Sequence, residues 1–207
     1  VSDINETCTF DSVLEFGALG DGATDCTMAL NRASIAAGAN GSVYIPAGTY
    51  DVSDYGTRQL AAVQAYSGST TGTGISPAVT GQVWHGEGTI HDSESSSTKA
   101  LFRPLDGISA TIKGLTFTTE ASNAGIGLFF DAADSEARDL TITGFKKGIE
   151  LKGANCSVVA CKLVDCGSTD SQAIASNGAT ASDFTDYVLE WVDHPDLVSQ
   201  WENYAQK

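Results

Sequence analysis

The sequence predicts an all-β fold: a short single-stranded parallel β-helix, closed by an N-terminal amphipathic helix and followed by a C-terminal helical tail. Three observations predict it. From about Gly107 the chain repeats two interleaved strand patterns at intervals of 20–25 residues. Glycine is abundant (22 of 207 residues) and proline scarce (4), as many short strands joined by turns require. At each end of the repeat an apolar pattern of helical spacing replaces the alternating one.

The strand patterns come first because they carry the fold. "GLTFT" at 114–118, "DLTIT" at 139–143 and "CKLVD" at 161–165 alternate apolar and polar residues, with Leu115, Leu140 and Cys161 spaced by 25 and 21 residues. A second series, "GLFFD" at 127–131, "GIELK" at 148–152 and "AIASN" at 173–177, lies between them at spacings of 21 and 25. Such coils cannot bury their apolar faces singly and must stack at about 4.8 Å per rung. Asn155 and Asn177, 22 residues apart, are placed to stack as a polar ladder.

An open β-helix end exposes core and unpaired backbone, so it needs a plug. Residues 1–15 read as a polar lead-in. The turn "GALGDG" then leads into a helix over about 25–37, with Thr24 or Asp25 as N-cap and Gly38 as C-cap. Its apolar face is Cys26, Ala29, Leu30, Ala33 and Ala37. "SVYI" follows as a strand stopped by Pro46, and "GQVWHGEGTI" reads as a further rung. "SGSTTGTGIS" (67–76) and "SESSST" (93–98) read as loops. The β-helix domain spans 16–180 and the tail 181–207. In the tail Asp183 caps a helix bearing Phe184, Tyr187, Val188 and Trp191, and Pro195 restarts it with Leu197, Val198, Trp201 and Tyr204.

These residues carry a resemblance. Phe16, Gly17, Ala18, Gly20, Asp21, Gly22, Thr24, Asp25, Thr27, Pro46, Gly48 and Tyr50 match the N-terminal signature of pectate-lyase-like right-handed parallel β-helix proteins, phage tailspikes among them. Cys26 departs from that pattern, standing where the family commonly has Asp. The likeness is specific over 16–52 and extends to about residue 178. It implies the fold, while the motif itself is a capping module without chemistry.

Composition narrows the function. A net charge of −15 argues against nucleic acid and anionic membranes as partners. No apolar run approaches the roughly 20 residues that span a bilayer, and "VSDINETCTF" has neither the basic nor the apolar region of a signal peptide. The five cysteines match no zinc spacing and read as buried free thiols of a reducing compartment.

For enzymes of this fold the resemblance implies cleavage of acidic polysaccharides, by elimination with an Arg or Lys base and Ca²⁺ held by aspartates, or by hydrolysis with paired carboxylates. Three clusters offer such groups. His85, Glu87, His91 and Asp92 lie in "HGEGTIHD", Asp131, Asp134, Glu136, Arg138 and Asp139 in "DAADSEARD", and Lys146, Lys147 and Glu150 in "GFKKGIE". Each also reads as solvated charge on a rung or corner. Five or six coils make a column of only roughly 25–30 Å, and with four Arg and seven Lys an elimination base is scarce.

The expectation is therefore a non-catalytic phage virion protein without catalytic residues, metal or cofactor, assembled in the host cytoplasm. It would be a homotrimer decorating a head or tail and docking on other virion proteins. Phe184, Tyr187, Trp191, Leu197, Trp201 and Tyr204 would be its anchors, since buried Trp and Tyr dominate interfaces. The alternative is a polysaccharide depolymerase or a fragment of one, marked by a carboxylate or Arg/Lys cluster on adjacent rungs.

Overall fold

The computed structural model describes residues 11–53, 73–77, 79–94, 99–104, 107–120, 124–167, 173–176, 183–185 and 188–190. These residues wind into three parallel sheets of seven, seven and five described strands, the five central rungs giving one strand to each. The first sheet stacks residues 11–12, 42–45, 82–86, 110–113, 136–138, 157–159 and 183–185. The second stacks 21–25, 49–52, 89–92, 116–119, 141–143, 162–164 and 188–190. The third stacks 73–75, 100–102, 124–130, 145–151 and 174–176.

Registers place one column of apolar side chains inside each sheet. Val43, Trp84, Ile112, Ala137 and Val158 are successive partners in the first. Tyr50, Ile90, Phe117, Ile142 and Leu163 follow one another in the second. Ile75, Phe102, Leu128, Ile149 and Ile174 do so in the third. All but Ile174 are buried. Trp84, Phe102 and Phe117 meet edge to face across the interior, with centroids 5.0 and 6.3 Å apart, an arrangement the ring quadrupoles favour.

The corners explain the spacing of the cysteines. Between the first and second sheets the chain turns on one left-handed residue per rung, Gly114, Asp139 or Ala160 (φ +74°, +54° and +52°). Cys156, Cys161 and Cys166 are buried and mark successive corners of a single rung. Each thiol donates to a carbonyl of the preceding rung, of Ala132, Ala137 and Ile142 respectively. The interval of five is one side of the triangle, and the buried-thiol reading holds for these three and for Cys26. Cys8 lies outside the described residues.

The plug is α1, Thr27–Ala37. Its N-cap residue is Cys26 rather than the expected Thr24 or Asp25, but Asp25 supports the start from one residue earlier, Oδ1 accepting the Thr27 amide (3.0 Å) and hydroxyl (2.5 Å). Ala29, Leu30, Ala33 and Ser34 are buried against the first rungs. Gln82, fully buried, ties helix to solenoid. Its Oε1 accepts from Ser34 Oγ and Trp84 Nε1, and its Nε2 donates to the carbonyls of Ser34 and Gly38. Such a saturated network fixes the angle of the cap without leaving a buried polar atom unpaired.

The structure corrects the reading in three places and leaves the asparagine ladder untested. A third series of strands, 110–113, 136–138 and 157–159, escapes the sequence pattern because each of the last two strands buries a single residue, Ala137 or Val158. Thr73–Ile75 is a strand inside an expected loop. Asn155 donates to Asp134 (3.3 Å) on the preceding rung, while Asn177 lies outside the described residues. Where a helix is expected from Asp183, the chain forms two more strands, Asp183–Thr185 and Val188–Glu190. Phe184 and Leu189 continue the registers of Val158 and Leu163. Pairing to an open rung outweighs a helical pattern that has no rung of its own to cover. Tyr187, Trp191, Leu197, Trp201 and Tyr204 lie outside the described residues.

Candidate functional site on the third sheet

The strands 124–130 and 145–151 are the longest among the described residues, and charged side chains lie on and beside them. Leu128 and Phe130 point into the core, as do Ile149 and Leu151. Alternation therefore turns Phe129 and Glu150, partners in register, to the outside. Asp131 and Lys152 stand one residue beyond the inward Phe130 and Leu151, and Arg103 one beyond Phe102 on the rung before.

These side chains converge. The Arg103 guanidinium donates to Asp131 Oδ2 from Nη2 (2.7 Å) and Nε (3.2 Å). It also lies 4.6 Å from the centroid of Phe129, and the Lys152 ammonium lies 4.9 Å from the same ring. Lys147 Nζ pairs with Glu150 Oε2 at 3.0 Å. Phe129 is only 4% exposed and Glu150 5%, so these charges meet in a medium drier than a surface. Asp131 Oδ1 is buried and has no hydrogen-bond partner among the described residues. An acceptor left open in that way is expensive unless something else comes to it.

The sequence-predicted clusters separate in space. Of "DAADSEARD" only Asp131 reaches this site. Asp134 sits in a turn with Asn155, Glu136 pairs with Arg138 on the outer first sheet (2.9 Å), and Asp139 is a left-handed corner. His85 faces Tyr44 on the first sheet, with ring centroids 5.4 Å apart. Burial and the Lys113 ammonium lower its pKa against the pull of Glu87, which keeps it a neutral imidazole at pH 7. Glu87 accepts from the Tyr44 hydroxyl (3.0 Å), His91 shares a hydrogen bond with Thr118 (2.9 Å), and Asp92 accepts from the Glu94 amide (3.1 Å). Those four therefore do not form one site. Lys147 and Glu150 pair with each other on the neighbouring strand, where Glu150 is the register partner of Phe129.

Arg103, Phe129 and Lys152 went unnoticed in the sequence. The signal was present in the repeat, since laying "FRP", "LFF" and "IEL" in register brings Arg103, Phe129 and Glu150 onto one column. Calcium held by aspartates, which the resemblance implies for lyases, does not fit this cluster. Arg103 already neutralises Asp131 and Lys147 already neutralises Glu150, and among the described residues no three metal-binding side chains converge.

Comparison with known proteins agrees with this architecture. A family model described as rhamnogalacturonase A/epimerase, pectate lyase-like, matches residues 10–59. The chain is similar to the solved structure of a candidate glycosyl hydrolase from Parabacteroides merdae, at 18% identity and a TM-score of 0.54, covering 89% of this chain and 95% of that one. It is also similar to the A-module of the mannuronan C-5 epimerase AlgE4 from Azotobacter vinelandii, at 21% identity and a TM-score of 0.42, covering 87% of this chain and 51% of the module. No curated protein matches. The fold is that of the pectate-lyase-like right-handed parallel β-helix. The virion reading gains nothing from the Parabacteroides merdae structure, which is described as a glycosyl hydrolase.

Proposed function

We propose that this chain acts on a polysaccharide laid across the outer face of the third sheet, the reading held above as the alternative. One observation carries it: Arg103, paired with Asp131, and Lys152 lie against one nearly buried aromatic ring whose register partner, Glu150, pairs with Lys147, and Asp131 Oδ1 has no hydrogen-bond partner among the described residues. That is the adjacent-rung cluster by which a depolymerase differs from a decoration protein. The description of the family model and that of the Parabacteroides merdae structure support the same reading. The length of the chain does not oppose it, because that structure is matched over 95% of its own chain.

Asp131 and Glu150 are the proton-transfer groups of this reading, since sugar chemistry of this kind runs on positioned carboxylates. Arg103 and Lys152, held against the Phe129 ring, and Lys147 form an island of net positive charge on a chain of net charge −15. Such an island receives an anionic sugar that the rest of the surface repels. Uronate-containing chains are accordingly the substrate class. Incubation with a panel of uronate-containing and neutral polysaccharides tests it, following chain length and, by NMR, inversion at the uronate carbon. Turnover that falls at least about 100-fold in Glu150→Gln and Asp131→Asn, with circular dichroism unchanged, is the expected result. Turnover indifferent to both substitutions, or no turnover and no binding of any glycan, would overturn it.

A further inference from the structure

The cations beside the third sheet are held in two different ways. Arg103 donates to Asp131 and Lys147 pairs with Glu150, so each of these charges is cancelled by the carboxylate that orients it. Lys152 is exposed and forms no ion pair among the described residues; its ammonium rests instead 4.9 Å from the centroid of Phe129. A ring orients a cation through its quadrupole but carries no net charge. The Lys152 ammonium is therefore held in place with its full charge intact.

The root of this side chain is fixed as well. The Lys152 amide donates to the Phe130 carbonyl (2.7 Å), and the Gly153 amide donates to the same oxygen (3.3 Å). A Cβ on Gly153 would fall 1.8 Å from the Ala132 carbonyl oxygen, so the turn seats against the preceding rung because glycine follows the lysine. Phe129 is itself nearly buried and also packs under the Arg103 guanidinium, 4.6 Å from its centroid, which steadies the ring. A free lysine stem carries large rotamer entropy that an incoming anion would have to freeze. Here backbone and ring order the stem before any anion arrives.

We propose that Phe129 is a positioning residue, and that through it Lys152 becomes the group by which this face selects acidic over neutral sugars, receiving the carboxylate of a uronate. This role rests on the polysaccharide reading of the third sheet and assigns the selectivity within it. Arg103 and Lys147 hold the two carboxylates, and the ring-held lysine meets the substrate's charge.

NMR and kinetics on the full chain test it. In the free wild type the Lys152 side-chain methylenes should resonate upfield of those of a solvated lysine, because they lie over a ring, and Phe129→Leu should remove that shift. On a uronate-containing polysaccharide, Lys152→Gln should raise KM at least about tenfold while kcat stays within about twofold, the split expected when binding alone is lost. Phe129→Leu should raise KM in the same direction, and the double variant should do no worse than Lys152→Gln, since both act through one group. Lys152→Arg, which keeps the charge and stacks on a ring, should restore KM. Unshifted methylenes in the wild type would overturn the proposal without any glycan. Wild-type KM in Lys152→Gln, with turnover still lost in Glu150→Gln, would overturn it and leave the polysaccharide reading standing. A wild type that binds no uronate-containing glycan would end both.

Discussion

The outer faces of the second and third sheets belong to the same rungs and differ in almost everything else. On the second, Thr49, Thr89, Thr116 and Thr141 follow one another in register, with Thr118 and Thr143 beside them. β-Branched hydroxyls suit a pleated, half-exposed surface and need no charged partner. On the third, Arg103 and Lys152 lie against Phe129, with the ion pairs Arg103–Asp131 and Lys147–Glu150 on neighbouring strands. Burying such groups opposes stability unless they pair, and one oxygen of Asp131 stays unpaired. A face that stabilises the column and a face that taxes it coexist because the core columns behind both are continuous. Conformational stability is supplied by the interior, which leaves one outer face for chemistry.

The largest test of this contrast removes a charge from the third face. Arg103→Ala leaves Asp131 buried without its partner and should lower stability by about 3–5 kcal/mol, or roughly 6–20 °C in Tm. The double variant Arg103→Ala/Asp131→Ala should recover much of that loss in a double-mutant cycle. Independent effects of the two substitutions would mean that the pair is not the constraint the geometry suggests.

A second test falls on the corner between the two faces. Burial raises the Cys166 thiol from its ordinary value near 9 to about 11. Above the lower value the unfolded chain releases this proton while the folded chain keeps it, so the unfolded state binds fewer protons and stability falls as pH rises. About 2–3 kcal/mol should be lost between pH 9 and 11 and none of it below that window. Urea denaturation across this range should show a shallower alkaline loss for Cys166→Ala than for the wild type. An identical slope would remove Cys166 from the account.

The smallest effect is expected on the threonine face. Thr116→Val keeps the β-branch and loses only a half-exposed hydroxyl, so stability should change by no more than about 0.5 kcal/mol. Activity on any glycan found above should not change at all. A hundredfold loss would move the functional surface from the third sheet to the second.

Local patterns determined much of this protein by themselves. Alternation within "GLTFT", "DLTIT", "GLFFD" and "GIELK" dictates which residues face inward, and their spacing dictates the stacking, because a coil with one apolar side has no other way to bury it. The plug was legible for the same reason: Asp25, the run Ala29, Leu30, Ala33, and Gly38 make a start, a face and a stop within a dozen residues. Asp131 and Glu150 could be named from the sequence, but as members of separate clusters padded with corner residues such as Asp139.

Only the tertiary structure decided which charges meet. Arg103, Phe129, Glu150 and Asp131 are brought together by the register of successive rungs, and register is set by core columns that contain none of them. The tail shows the same limit from the other side. The stretch from Asp183 carries a helical pattern, yet the open rung before it offers unpaired backbone along Ser157–Val159 and Lys162–Val164, and residues 183–185 and 188–190 pair with it as strands. Periodicity reports what a segment can bury. What it will bury against depends on groups far along the chain that only folding brings alongside.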